Sequence, residues 1–106
     1  MMKISVQDTC GKNTVTRGDG EQVKRLVLEA WKKESKIIID FSNILVASVS
    51  FFDEAFGKLV FEHTKEKMQE KLSFENIEEY DRALLNDILI SRYHQKELGQ
   101  NGPSRS

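Results

Sequence analysis

A run of three isoleucines, Ile37 to Ile39, constrains the fold of this chain more than any other feature of its sequence. The run lacks the alternation of apolar and polar residues that marks a strand with one solvated face. Strands without alternation are typical of the centre of a parallel sheet, where helices cover both faces. We therefore expect residues 36–41 to form a central parallel strand with helices on each side.

The residues before this strand predict two further strands and a helix. Residues 3–7 alternate in polarity, and the β-forming residues Thr14 to Thr16 follow a turn-rich connector, so the chain should open with a β-hairpin. Gly18-Asp19-Gly20 should then interrupt the chain. An amphipathic helix is predicted next from an apolar stripe at helical spacing, formed by Val23, Leu26, Val27, Ala30 and Trp31.

The residues after the isoleucine run predict two helices and one short strand. Ser50, with Asp53 three positions on, indicates the N-cap of a helix that runs to about Lys67. Residues 71–74 predict a fourth strand, and a final helix is expected from about Glu79 to Leu98. The order of elements indicates an α/β fold, with a four-stranded mixed sheet, an opening β-hairpin and three main helices packed on the sheet.

Size and charge limit the classes of function. A chain of 106 residues accommodates one domain, which we assign to residues 1–99, and the polar residues 100–106 should form a disordered tail. The net charge of -1 does not favour a nucleic acid or an anionic membrane as partner. The N-terminal residues MMKISVQD do not resemble a signal peptide, and no apolar run reaches the roughly 18 residues of a membrane span. We therefore expect a cytoplasmic protein.

Ser50, Asp53 and Glu54 are the first candidates for a functional site, and each has a structural alternative. Ser50 is a candidate phosphoacceptor, although a serine before a helix is more often a cap. Asp53 and Glu54 are adjacent, so on a helix they point about 100° apart and do not converge as a general acid–base pair. They should instead stabilise the first turn of the helix, or one of them should pair with Arg17.

An enzyme is the alternative hypothesis. Asp40, at the end of the central strand, would join Asp53 and Glu54 in a carboxylate cluster that binds Mg²⁺ for phosphoryl transfer or hydrolysis. The sequence offers no nucleophile–base pair and no phosphate-binding loop, and neither His63 nor His94 has partners at metal-ligand spacing. We therefore expect no catalytic residue, no metal site and no cofactor.

A resemblance to a known family involves the same residues. Four segments carry it and together extend over nearly the whole chain: Thr16-Arg17, Ile39-Asp40-Phe41, Ser50-Phe51-Phe52-Asp53-Glu54-Ala55-Phe56-Gly57 and Leu72-Ser73-Phe74-Glu75-Asn76. The chain thus resembles the STAS-like family of unknown function. That family is related to the STAS domains of bacterial anti-sigma-factor antagonists and of sulfate transporters.

The resemblance implies a small, non-catalytic switch that binds a partner protein. In the antagonists, an ATPase of the histidine-kinase type phosphorylates a serine between the central strand and the next helix, and the phosphate controls partner choice. The corresponding tip here is Ala47 to Ser50, where Val49 stands at the position of the antagonists' phosphoserine. The resemblance therefore implies a histidine-kinase-type ATPase as partner, with Ser50 and then Ser48 as the phosphorylation candidates.

The start of the second predicted helix is the expected docking surface. Phe51 lies off the predicted apolar stripe of that helix, so we expect it to be exposed and to contact the partner. The third hypothesis is a homodimer formed through an edge strand or through the helix from Ser50 to Val60. The residues expected to bind the partner are Ser48, Val49, Ser50, Phe51, Asp53 and Glu54.

Overall fold

The computed structural model describes residues 1–99, which form five strands, five α-helices and one 3-10 helix. The strands are β1 (Met2–Ser5), β2 (Thr14–Val15), β3 (Ile37–Asp40), β4 (Val46–Ala47) and β5 (Leu72–Glu75). The helices are α1 (Val6–Cys10), α2 (Arg17–Trp31), α3 (Val49–Ala55), α4 (Lys65–Lys71) and α5 (Glu79–Glu97), with the 3-10 helix Gly57–Phe61 between α3 and α4. The tail predicted for residues 100–106 lies outside the described residues.

The strands form two sheets, and both are parallel. The larger sheet has the order β1-β3-β5, and the smaller one pairs β2 with β4. In the larger sheet Ile39 lies between Ile4 and Phe74, so the isoleucine run is central. The predicted central parallel strand is therefore confirmed, whereas the predicted four-stranded mixed sheet is wrong.

The predicted opening β-hairpin is also wrong, because the chain leaves the sheet as a helix directly after β1. The hydroxyl oxygen of Ser5 accepts a hydrogen bond from the Asp8 N–H at 3.2 Å and caps α1. Gly11 ends α1 with a φ of 72°, in the left-handed region. The next strand, β2, then pairs with β4 instead of β1.

The two faces of the larger sheet differ in burial. Ile37 and Ile39 are fully buried against the helices, but Ile38, on the opposite face, is only half-buried. Lys3 lies on that opposite face, and its ammonium group is 3.5 Å from the carboxylate of Glu75. The expectation that β3 is buried on both faces is therefore wrong. Charged side chains of the neighbouring strands lie on the second face, which remains partly exposed to solvent.

The helix predicted from Ser50 to Lys67 is divided into α3, the 3-10 helix and α4. A second cap accounts for the start of α4, since the Thr64 hydroxyl oxygen accepts a hydrogen bond from the Lys67 N–H at 3.1 Å. The helices predicted around Val27 and from about Glu79 are confirmed as α2 and α5. The strand predicted over residues 71–74 is confirmed as β5.

The residues Gly18-Asp19-Gly20 do not interrupt the chain but lie inside the first turns of α2. The Asp19 carboxylate accepts a hydrogen bond from the Thr16 N–H at 2.9 Å and so caps the helix. Gly20 faces α3, where a Cβ atom would lie 2.7 Å from the backbone oxygen of Phe51. Glycine at this position therefore allows α2 and α3 to approach more closely than any other residue would.

We expect Gly20→Ala to lower the free energy of unfolding by about 1–3 kcal/mol, because the added methyl group meets the backbone of α3. The control is Gly18→Ala, where nothing lies within 4 Å of the added atom. Alanine has the higher helix propensity, so the control should be neutral or slightly stabilising. Urea unfolding of the two variants measures the difference, and equal stabilities would contradict the close packing of α2 on α3.

Candidate functional site

The tip before α3 is capped by Ser48 and not by Ser50 as predicted. The Ser48 hydroxyl oxygen accepts a hydrogen bond from the Phe51 N–H at 3.0 Å. Ser50 lies one residue inside the helix, and its hydroxyl oxygen accepts a hydrogen bond from Arg17 Nη2 at 3.4 Å. The two candidate serines therefore differ in role, since one holds the helix start and the other faces a cation.

Phe51 is fully buried, so the prediction that it is exposed for docking is wrong. Its ring packs edge-on against the rings of Phe41, Phe52 and Phe56, with centroids 5.6–6.2 Å apart. The helix starts two residues earlier than predicted, and its inward side therefore includes Phe51 and Phe52 together with Ala55. Phe51 therefore packs in the core that positions the tip.

Three apolar side chains at the tip are exposed instead. Leu45 is 72%, Val46 55% and Val49 55% exposed. We call these three residues the tip patch. Backbone hydrogen bonds tie its strand to the chain around β2, from Leu45 N–H to the Asn13 oxygen at 2.8 Å and from Ser48 N–H to the Val15 oxygen at 3.1 Å. The patch is thus presented on a fixed backbone.

Glu54 is a buried carboxylate that three cations neutralise. Lys24 and Lys58 each lie 2.8 Å from its oxygens, and Arg17 lies 3.3 Å away. Burial alone raises the pKa of Glu54, but the hydrogen bonds and charges of the two lysines outweigh it and lower that pKa from 4.5 to about 2. The predicted pairing of an acidic residue of this segment with Arg17 is confirmed.

Asp53 joins α3 to α5 through a two-fold hydrogen bond with Arg92. Both contacts, Nε to Oδ1 and Nη2 to Oδ2, are 2.7 Å long. Beside this pair is a groove of about 380 Å³ between α3 and α5, whose wall includes Arg17, Val49 and Ser50. We call it the α3–α5 groove. Because Val49 belongs to both, the groove and the tip patch form one continuous surface.

Asp40 stabilises the turn after β3. Its carboxylate accepts hydrogen bonds from Asn76 Nδ2 at 2.9 Å and from Ser42, whose hydroxyl lies 2.7 Å away. These hydrogen bonds lower the pKa of Asp40 below its ordinary value. Asp40 is therefore engaged in the turn through Ser42.

The carboxylates considered for an enzyme each have separate partners. Asp53 is bound to Arg92, Glu54 to its three cations, and Asp40 to the turn after β3. Within residues 1–99, no three His, Cys, Asp or Glu side chains are grouped as metal ligands. His63 stacks on Trp31 at a centroid distance of 4.2 Å, so its ring contributes to packing.

Four cations at this site were not predicted from the sequence. Lys24 and Lys58 hold Glu54, Arg92 holds Asp53, and Lys12 lies 3.2 Å from Asp19. Three of these pairs do not have the i,i+3 or i,i+4 spacing of a helix, so local spacing carries no signal for them. Lys58 follows Glu54 by four positions, which is a helical spacing that does predict an ion pair.

The fold and this site define a small α/β domain on a parallel sheet, with an ionic network at the start of α3. A family described as a STAS-like domain of unknown function matches residues 19–82, more than half of the chain. The chain belongs to this family, which confirms the resemblance found in the sequence. Comparison with curated proteins and with solved structures yielded no match.

The matched residues include the tip, α3 and β5, whereas Arg17 and Arg92 lie outside them. They begin in the first turn of α2 and end in the first turn of α5. Among the described helices, none combines the length and the apolar character needed to cross a lipid bilayer.

We expect Glu54→Gln to lower the free energy of unfolding at pH 7 by about 3 kcal/mol, because it leaves three cations around a neutral buried group. The folded pKa lies below the unfolded one, so the unfolded chain takes up a proton first as the pH falls. The difference in the free energy of unfolding between the wild type and Glu54→Gln should therefore shrink as the pH falls from 4.5 towards about 2.

The control for Glu54→Gln is Glu29→Gln, which neutralises an exposed carboxylate of α2 and should leave the free energy of unfolding unchanged. Urea unfolding across this pH range gives the free energy of unfolding of the wild type and of both variants. A constant difference between the wild type and Glu54→Gln at every pH would contradict a lowered pKa of Glu54.

Proposed function

We propose that this domain is a non-catalytic regulatory module that binds a partner protein through the tip patch and the adjoining start of α3. The observation that carries the proposal is the exposure of Leu45, Val46 and Val49 beside a helix start that the core holds rigid. Three neighbouring apolar side chains on a fixed backbone are typical of a protein-binding surface.

The partner that we propose is an ATPase of the histidine-kinase type. Membership of a STAS-like family supports this choice, since a partner of that type acts on the related antagonists. Ser48, Val49 and Ser50 would contact it together with the rest of the tip patch. Asp53 and Glu54 would shape the surface rather than bind, because their carboxylates are engaged by Arg92 and the three cations.

We expect Val49→Asp to abolish binding to the ATPase without loss of fold, because Val49 is exposed and the change places a charge in the centre of the contact. Leu28→Asp is the matched control, since Leu28 is partly exposed on the outer side of α2 and should not affect binding. Calorimetric titration against each purified histidine-kinase-type ATPase of the same organism measures affinity, and urea unfolding verifies the fold. Equal affinity of wild type and Val49→Asp would overturn the docking site.

We further propose that phosphorylation of Ser50 regulates this binding. The Ser48 hydroxyl is occupied by the Phe51 N–H, so a phosphate there would disturb the helix cap. The Ser50 hydroxyl faces Arg17, whose contact with Glu54 at 3.3 Å is longer than the contacts of Lys24 and Lys58. Arg17 can therefore turn towards a phosphate on Ser50 while Glu54 keeps two cations.

A phosphate at Ser50 would add a charge of about -1.5 to -2 next to Val49. The hydrated dianion would lie at the border between the tip patch and the α3–α5 groove. An apolar partner surface loses affinity when it must cover such a charge. Phosphorylation is therefore expected to release the partner while leaving the core intact.

We expect incubation with the ATPase and ATP to add about 80 daltons, the mass of one phosphoryl group, to the wild type and nothing to Ser50→Ala. Ser91→Ala is the matched control, because Ser91 lines the same groove and is exposed. Mass spectrometry of the intact proteins gives the result. If the wild type gains no mass, or if Ser50→Ala gains the same mass, the switch at Ser50 is wrong and constitutive docking remains.

A further inference from the structure

The outer edge of β5 is the basis of a second interaction surface. Within the described part of the chain, β5 pairs only with β3, which makes it an edge strand of the larger sheet. The Glu75 C=O accepts a hydrogen bond from the Phe41 N–H at 2.9 Å, which places the peptide groups of Glu75 on the β3 side. Because peptide groups alternate along a strand, those of Leu72 and Phe74 point away from the sheet.

Two of the four outward polar groups have partners. The Leu72 N–H donates a hydrogen bond to the Met68 C=O, and the Phe74 C=O accepts one from Arg82 Nη2 at 3.1 Å. Among residues 1–99, no hydrogen bond involves the Leu72 C=O or the Phe74 N–H on this side. This acceptor and this donor are the two groups that a single residue of an added strand would bind.

These two groups lie beside an apolar groove of about 430 Å³ between α4 and α5. We call it the β5 groove. Most of its lining residues are apolar and three are polar: Met68, Leu72, Phe74, Leu89, Ile90 and Tyr93, with Lys65, Gln69 and Asn86. Ile90 is 64% exposed, although it is a large apolar residue in the middle of α5. A groove with an open backbone edge and apolar walls fits an extended peptide.

We propose that the β5 edge binds an extended segment of a partner protein, in which apolar and basic residues alternate, as an additional strand. Side chains on the helical side of the added strand would enter the β5 groove, which favours apolar residues. Side chains on the other side would lie next to Ser73 and the carboxylate of Glu75, which is 47% exposed. Lys3 already lies 3.5 Å from that carboxylate, and a lysine or arginine of the added strand would share its exposed side.

This surface is independent of the docking site proposed above. The β5 groove and the α3–α5 groove have no lining residue in common. α5 separates them, because it presents Ile88 and Arg92 to one groove and Leu89 and Ile90 to the other. The failure of either proposal therefore leaves the other standing.

The experiment is a titration of the full chain with the peptide acetyl-Val-Lys-Val-Lys-Val-amide, followed by amide signals and hydrogen exchange in NMR spectra. We expect the Phe74 N–H to exchange rapidly in the free protein and to become protected when the peptide is bound. Ile90→Asp should weaken binding about tenfold, because it places a charge in the groove. Tyr80→Asp is the matched control, since Tyr80 is 78% exposed on the same helix outside the groove, and it should bind as the wild type does.

Three results would overturn this proposal. The first is the absence of any change at Phe74 with about 1 mM peptide. The second is equal binding of a peptide whose central amides are N-methylated, because that binding would be apolar contact without strand pairing. The third is protection of the Phe74 N–H that rises with protein concentration in the absence of peptide, which would assign the edge to a second copy of this chain.

Discussion

The structure depends on the close approach of α2 and α3 at Gly20. Only a residue without a side chain fits there, and the short distance carries Glu54 beneath Lys24 and Arg17. A carboxylate buried without those cations would destabilise the domain, so the helix contact and the ionic network require each other. Both hold the start of α3 in place, and the tip patch depends on that position.

Much of the secondary structure could be predicted because long periodic segments leave a strong local signal. The apolar stripe around Val27 predicted α2, and the isoleucine run predicted the central strand. The partners of short strands leave no such signal. β2 has two residues and pairs with β4, about thirty positions further along the chain, and nothing near Thr14 indicates that partner. The predictions of a mixed sheet and of an opening hairpin were wrong for this reason.

The candidate site was predicted in the right segment, but the roles predicted for Ser50 and Phe51 within that segment were wrong. Serine favours the N-cap position at both Ser48 and Ser50, and Asp53, three positions after Ser50, made Ser50 the more attractive cap. Arg92, 39 residues along the chain, draws Asp53 into a different interaction. The burial of Phe51 could have been recognised, because Phe51, Phe52, Ala55 and Phe56 follow the spacing of one wide helical face.

The central position of β3 also determines the order in which the sheet can assemble. Among the five described strands, β1 pairs only with β3, so residues 2–5 have no partner among them until residues 37–40 have been synthesised. The whole of α2 is made between these two strands, and α3, against which it mainly packs, follows β3 in the chain. Early in translation the nascent chain therefore exposes an unpaired strand and an unshielded helix, which is the stage at which a chaperone would have most to bind.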